Sequence, residues 1–287
     1  MLTPFDSDGR VNLSEAAKIA RYCVDIQKND GLVINGTTGE SPTLEEDEKF
    51  ALLETVLEAV GDRASVLFGA GTYSTKESIH LTREGERRGA HGIMLVNPYY
   101  NRPGQAGLYA HFSTVARETS LPVLLYNIQP RSAINLETPT LLRLAEIPNI
   151  VAVKEASGSI PQIADVCAQA PAGFRVYSGD DGLTLPILSV GGHGIVSVAA
   201  HVVGAEIKDM VEAFPRDPAR ARAIHQRLMP AFKALFSAPS PAPVKYALSR
   251  RGFDCESVRL PIVELSSEEK LVVDGAMLKV AQAAAAV

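Results

Sequence analysis

Lys154 follows the apolar run Ile150-Val-Ala-Val153, so its side chain would project from the end of a buried strand. Desolvation disfavours the ammonium form and lowers the pKa of such a lysine, which is what an amine needs in order to attack a carbonyl and form a Schiff base. A lysine that snorkels to solvent or pairs with Glu155 is the plain alternative. Tyr126 ends the preceding run, Pro122-Val-Leu-Leu-Tyr126, and its phenol could carry protons for imine formation, with the hydroxyls of Thr37 and Tyr100 as a relay. A tyrosine that simply packs with a hydrogen-bonded tip fits the same position.

Two further groups suit carboxylates. Thr37 and Thr38, between Gly36 and Gly39, offer hydroxyls and backbone N–H groups near the start of a helix expected from about Thr43, and an ordinary cap and turn would use the same residues. Arg131 lies five residues beyond Tyr126 in a loop bent by Pro130 and presents a bidentate fork, although a surface arginine needs no such role. The six histidines show no metal-ligand spacing and Asp180-Asp181 has no partner cluster, so no metal is expected. Gly69-Ala-Gly71 and Gly191-Gly-His-Gly194 lack the lysine and spacing of a phosphate cradle and read as close-packing turns.

The elements that position these residues are short runs of Val, Ile and Leu. They fall at Gly31–Asn35, Ser65–Phe68, Gly92–Val96, Pro122–Tyr126, Ile150–Val153, Phe174–Tyr177 and Gly194–Val198, and continuous runs of this kind are strands buried on both faces of a parallel sheet. Amphipathic segments of helical period separate them, as in Leu44–Val60, where Leu52, Leu53, Val56, Leu57 and Val60 share a face. Met1–Phe5 reads as the end of an eighth strand cut short. Eight such units, with no Gly-x-Gly-x-x-Gly turn after an early strand, predict a closed (β/α)8 TIM barrel, whose chemistry sits at the C-terminal ends of the strands. The barrel is expected over residues 1–215 with a truncated first strand. A helical appendage is expected over 216–287, with helices near Asp217–Phe236, Val244–Arg251 and Ser267–Ala284 split by Pro239-Ser-Pro-Ala-Pro243 and Leu260-Pro261.

Composition narrows the function classes. With 46% hydrophobic and 21% charged residues the chain can bury a large core, which excludes disorder. The net charge of −5, without a basic block, makes nucleic acid and anionic membranes poor partners. The three cysteines are far apart with no C-x-x-C, which suits a reducing cytoplasm. No basic region with an apolar run follows Met1, and no apolar stretch approaches the roughly 20 residues of a membrane helix, so a soluble cytoplasmic protein is expected.

Several motifs in one order carry more than any of them alone. Gly36-Thr-Thr-Gly-Glu-Ser41, Pro98-Tyr-Tyr-Asn-Arg-Pro103, Tyr126-Asn127 with Arg131, Val153-Lys-Glu-Ala156, Ser178-Gly-Asp-Asp181, Gly191-Gly-His-Gly194 with Val196-Ser197, and Pro243-Val-Lys245 span nearly the whole chain. In these the sequence resembles the dihydrodipicolinate synthase and N-acetylneuraminate lyase family of pyruvate-dependent class I aldolases. The resemblance implies a (β/α)8 barrel with a helical C-terminal part, assembled as a homotetramer of two tight dimers, that needs no cofactor beyond the covalent imine of pyruvate on Lys154. It implies that Tyr126 assists imine formation, that Thr37 and Tyr100 complete a hydroxyl relay with Tyr100 crossing from the neighbouring subunit, and that Thr38 holds the pyruvate carboxylate. Gly179 and Val196 match positions lining the same pocket.

Thr37-Thr38 together with Arg131 resembles the synthase branch, in which the second substrate is aspartate semialdehyde and the product enters lysine and diaminopimelate synthesis. The loop Tyr126-Asn-Ile-Gln-Pro-Arg-Ser132 departs from that branch, which usually has proline directly after the Asn-aliphatic pair and Thr-Gly after the arginine. A lyase or aldolase for N-acetylneuraminate or a 2-keto-3-deoxy sugar acid would keep Lys154 and Tyr126 and change only the acceptor pocket, and a non-catalytic binding barrel would keep neither role. In lysine-sensitive members the effector lies near positions matching Ser41, Glu46, Lys49, Tyr73, Glu77 and Tyr99. Ser41, Glu77 and Tyr99 suit a lysine ligand, whereas Glu46, Lys49 and Tyr73 do not, so weak or absent inhibition is expected.

Overall fold

A computed structural model describes residues 1–285. Its contacts divide it into two compact units, one of Met1–Ser65 with the stretch from Val198 onward, the other of Val66–Ser197. Seven strands form one parallel sheet in chain order: β1 (Gly31–Ile34), β2 (Ser65–Gly69), β3 (Gly92–Val96), β4 (Val123–Asn127), β5 (Ile150–Glu155), β6 (Arg175–Ser178) and β7 (Gly194–Ile195). Each lies on one of the apolar runs, because a strand covered on both faces has no solvent side on which to alternate polar residues. The helices are α1 (Leu13–Arg21), α2 (Glu46–Val60), α3 (Thr75–Arg87), α4 (Gln105–Ala116), α5 (Gln129–Ser132), α6 (Thr138–Ala145), α7 (Ile160–Gln169), α8 (Thr184–Ser189), α9 (Ala200–Ala213), α10 (Pro218–Ala234), α11 (Ala242–Ser249) and α12 (Ser267–Ala285).

Three boundaries differ from expectation, each for a local reason. Among the described residues there is no eighth strand. Phe5 makes only an isolated bridge to Val11, since the donors of this segment are already engaged: the Met1 amine meets the Val33 carbonyl at 2.5 Å, the Leu2 N–H meets Nε2 of His201 at 3.0 Å, and Pro4 has no N–H. Burial pushes His201 down to about 3, so its ring stays neutral and able to accept. β7 stops at Ile195, not Val198. After one further bond, from the Val196 N–H to the Ser178 carbonyl at 2.8 Å, the Ser197 hydroxyl turns to the Asp181 carboxylate. The helix expected from about Thr43 begins at Glu46, where Glu45 and Glu48 form a reciprocal capping box. At α10, by contrast, Asp217 caps the helix as Asp-Pro predicts, accepting the Arg220 N–H at 2.9 Å.

Within the second unit, the register sets which side chains share a face. Val96, Tyr126, Lys154 and Tyr177 stand opposite one another on β3 to β6, and one residue further on Asn127, Glu155 and Ser178 do the same. Successive side chains leave a strand on opposite faces, so Tyr126 and Lys154 take one side and Asn127 and Glu155 the other. Asn97, Asn127 and Glu155 are fully buried and joined in series: Asn97 Nδ2 donates to Asn127 Oδ1 at 2.9 Å, and Asn127 Nδ2 donates to Glu155 Oε1 at 2.6 Å. Asn127 Oδ1 also accepts the Leu136 N–H at 2.9 Å, and Ser157 Oγ donates to Glu155 Oε2 at 2.5 Å. Asn97 Oδ1 is left without a hydrogen-bond partner among the described residues, and the remaining bonds of the belt tie the ends of β3, β4 and β5 together. The glycine-rich turns serve close packing as expected: a Cβ on Gly71 would collide with the Val96 backbone, and one on Gly192 would lie 2.5 Å from Ile187.

Candidate active site

At the carboxyl ends of β4 and β5, the amine of Lys154 stands 4.0 Å from the centroid of the Tyr126 ring. Tyr126 is buried and Lys154 half-buried, and their opposition in the register puts both on the same face. The amine lies over the aromatic face, a cation–π arrangement. The alternative pairing of Lys154 with Glu155 is not formed. Glu155 points to the other face, where burial raises its pKa while the hydrogen bonds from Ser157 and Asn127 act against that rise. Lys154 therefore has no carboxylate partner among the described residues, and its amine is available to an incoming carbonyl.

Gly179, just after β6, packs against the lysine stem. Its N–H donates to the Glu155 carbonyl at 2.7 Å, and a Cβ at this position would lie 3.0 Å from Cγ and Cε of Lys154 and from the Ala156 side chain. Absence of a side chain at 179 is what leaves the lysine its room. Val196 is half-buried at the end of β7, bonded to the carbonyl of Ser178. Asp180 and Asp181 are spent locally: Asp180 caps the following turn by accepting the N–H groups of Gly182 and Leu183, and Asp181 accepts the Ser197 hydroxyl. No group of three or more His, Cys, Asp or Glu side chains among the described residues is placed to hold a metal ion.

Arg131 lies on α5, a single turn in which Ser132 Oγ bonds the carbonyls of Ile128 and Ile134 at 2.8 and 2.9 Å. Its side chain is exposed, and its guanidinium makes no ion pair among the described residues. Tyr100 is 94% exposed and adopts a left-handed conformation, φ 68°, so it does not pack with Tyr126 and Lys154 of its own chain. Tyr99 is half-buried, and burial together with the nearby Glu77 and Tyr73 raises its pKa. Tyr73 meets it edge to face, with ring centroids 5.5 Å apart. Glu77 is exposed near the start of α3 and accepts from Thr72 Oγ1 at 3.3 Å.

The remaining predicted residues belong to the first unit. Thr37 and Thr38 form a single 3₁₀ turn with Gly39, half-buried, and no side-chain hydrogen bond engages either hydroxyl among the described residues. Ser41 opens a second such turn, Ser41–Thr43. Glu40 and Lys245, quoted only as parts of motifs, prove to be bonded to each other in the interior at 2.6 Å. Their partnership crosses 205 positions, and nothing in the local pattern announces it.

Residues 1–280 match the model of the dihydrodipicolinate synthetase family. The chain belongs to that family. It is 55% identical over 271 residues to the 4-hydroxy-tetrahydrodipicolinate synthase of Moorella thermoacetica, covering 94% of this chain and 92% of that protein. The crystal structure of a dihydrodipicolinate synthase from Bacillus anthracis superimposes with a TM-score of 0.93 at 44% identity, covering 97% of this chain and 95% of that one. The synthase from Cyanidioschyzon merolae, solved with lysine bound, gives 0.96 at 40% identity over 98% of this chain and 96% of its own. Membership in the dihydrodipicolinate synthetase family agrees with the parallel sheet and its flanking helices, and with the motifs at the strand ends.

Gly179→Ala tests the packing of the lysine stem in this family member. A methyl 3.0 Å from two methylenes of Lys154 displaces the amine, and turnover is expected to fall roughly 10- to 100-fold with little change in the thermal midpoint. Unchanged turnover in a folded variant would show that the stem yields freely.

Proposed function

We propose that the protein condenses pyruvate with L-aspartate 4-semialdehyde to 4-hydroxy-tetrahydrodipicolinate, the first committed step of lysine and diaminopimelate synthesis. The observation that carries this reading is the unpaired Lys154 amine over the Tyr126 ring at the strand ends, in a chain half identical to synthases of that name. The neutral amine adds to the keto carbon of pyruvate, and loss of water leaves an imine. Tyr126 moves the protons of addition and dehydration, with the hydroxyls of Thr37 and of Tyr100 from a neighbouring copy as relay. Thr38 holds the pyruvate carboxylate.

Loss of a methyl proton turns the imine into an enamine, whose carbon attacks the aldehyde of the second substrate. The amino group of that substrate then displaces Lys154 from the imine carbon and closes the ring. One water is released overall and the lysine is regenerated, so no further cofactor enters the balance. Arg131 takes the carboxylate of aspartate semialdehyde as a bidentate pair, which favours this acceptor over a sugar acid. The exposed Tyr100 suits a residue supplied to another subunit of a homotetramer. In the same reading Met1–Phe5, tied to β1 through Val33, takes the place of the eighth strand of a (β/α)8 barrel.

Reduction with borohydride in the presence of pyruvate is expected to add one reduced pyruvate to the protein mass, at Lys154. Lys154→Arg should show neither adduct nor turnover, because a guanidinium stays protonated and forms no imine. An adduct in that variant, or turnover without an adduct in the parent, would sink the mechanism.

Arg131→Ala is expected to raise KM for aspartate semialdehyde much more than KM for pyruvate. Loss of a charge-assisted contact costs roughly 1.5–3 kcal/mol, or about 10- to 100-fold. Equal effects on both substrates would place Arg131 away from the acceptor.

Lysine is expected to inhibit weakly or not at all. Tyr73 is already packed on Tyr99, and Lys49 carries the same charge as the effector's ammonium groups. Initial rates over a lysine titration at saturating pyruvate decide this, and half-maximal inhibition below about 1 mM, roughly −4 kcal/mol of binding, would contradict it.

A further inference from the structure

Glu40 sits at the joint between the Thr37–Gly39 and Ser41–Thr43 turns, with φ 56° and ψ 34°. Glycine or asparagine is the usual choice for that left-handed conformation. A glutamate there calls for a reason, and its carboxylate supplies one. Oε1 accepts from Lys245 Nζ at 2.6 Å and Oε2 accepts the Arg259 N–H at 3.0 Å, both donors coming from the C-terminal helical segment. The two charged side chains are 0% and 3% exposed. Lys245 is completed by the Ser257 carbonyl and by the face of Phe5, 4.3 Å away. A buried ion pair is a poor source of net stability, because the cost of desolvating two charges offsets their attraction, and its best attested use is to fix one arrangement.

The arrangement fixed here is the Thr37–Thr38 turn. Besides the grip on Glu40, the Thr3 hydroxyl donates to the Gly39 carbonyl at 2.7 Å, and Arg259 Nη1 donates to the Thr43 carbonyl at 2.7 Å. The guanidinium of Arg259 is itself held by Glu48. The turn is therefore clamped on both sides of Glu40, while among the described residues no side-chain hydrogen bond engages the hydroxyls of Thr37 and Thr38.

We infer that the Glu40–Lys245 pair is a positioning device for pyruvate, holding Thr38 where it meets the substrate carboxylate. The inference rests on the role of Thr38 proposed above. Neither Glu40 nor Lys245 touches substrate in this account; both act through the turn.

Removing one partner would strand a buried charge and unfold the chain for trivial reasons, so the test replaces both, as Glu40→Gln with Lys245→Met. The folded double variant is expected to need about tenfold more pyruvate for half-maximal borohydride trapping, with KM for pyruvate raised to match. KM for aspartate semialdehyde should stay as in the parent. A merely structural role would move the thermal midpoint without this split. An unchanged pyruvate KM in the folded double variant overturns the inference. If the double variant does not fold, Thr3→Val, which removes one bond to Gly39, should give the same split at smaller size, and a parental pyruvate KM there overturns it equally. Thr38→Val separates the two readings. If Thr38→Val raises pyruvate KM and the double variant does not, the positioning role alone is wrong. If Thr38→Val leaves it unchanged, the carboxylate assignment itself fails, and the inference with it.

Discussion

The parallel pairing of β4 with β5, Tyr126 opposite Lys154 and Asn127 opposite Glu155, is the constraint on which the site depends. Because a strand shows alternate residues to alternate faces, one register settles two questions together: which groups face the chemistry and which are available to hold the strand ends. A slip of β5 by one residue against β4 would send the amine to the side now held by Asn127 and Glu155, and would set the Glu155 carboxylate beside the phenol in its place. The buried series Asn97, Asn127, Glu155 opposes such a slip, since the hydrogen bond from Asn127 to Glu155 would be lost in a dry environment.

Much of this was legible in the sequence, and for a physical reason. Strands buried on both faces are written as unbroken Val, Ile and Leu, so the apolar runs mark all seven strands of the sheet. Lys154 stood out because a cation after Ile150-Val-Ala-Val153 is conspicuous, and Asp217-Pro218 announced its own helix start. What failed was what depends on partners distant along the chain. The run Gly194–Val198 keeps its strand composition to the end, yet Ser197 leaves the ladder for Asp181. Met1–Phe5 has an apolar pattern, but the bond from the Met1 amine to Val33 of β1 is not carried on into a ladder, the Leu2 N–H going to His201. The sequence puts Tyr126 and Lys154 at neighbouring strand ends, and the structure adds that the amine stands 4.0 Å from the centroid of the ring. No one-dimensional pattern fixes that placement.

The interior of the first unit shows the same limit more sharply. Glu40 reads as one more residue of a glycine-bounded turn, and Lys245 as one more helix residue near a proline-rich stretch. Only the folded chain shows that they neutralise each other, that the Ser257 carbonyl and the Phe5 ring complete the lysine's surroundings, and that Arg259 shares the same ring 4.4 Å from its centroid. Burial lowers the pKa of Lys245, and the Glu40 carboxylate beside it works in the opposite direction.

The belt of amides and carboxylate behind β3, β4 and β5 has a consequence for how such a catalyst can change over time. Tyr126 and Lys154, the residues assigned to the reaction in the proposal above, each sit one place before a residue, Asn127 or Glu155, that is bonded to protein, so the two sets are interleaved in sequence yet separated in space. Mutations can therefore rewrite the reacting row, exchanging one acceptor for another, without loosening the row that keeps the strand ends aligned. Inheritance of the scaffold and drift in its chemistry become independent events, which is how one scaffold can pass between neighbouring reactions with its amine still in place.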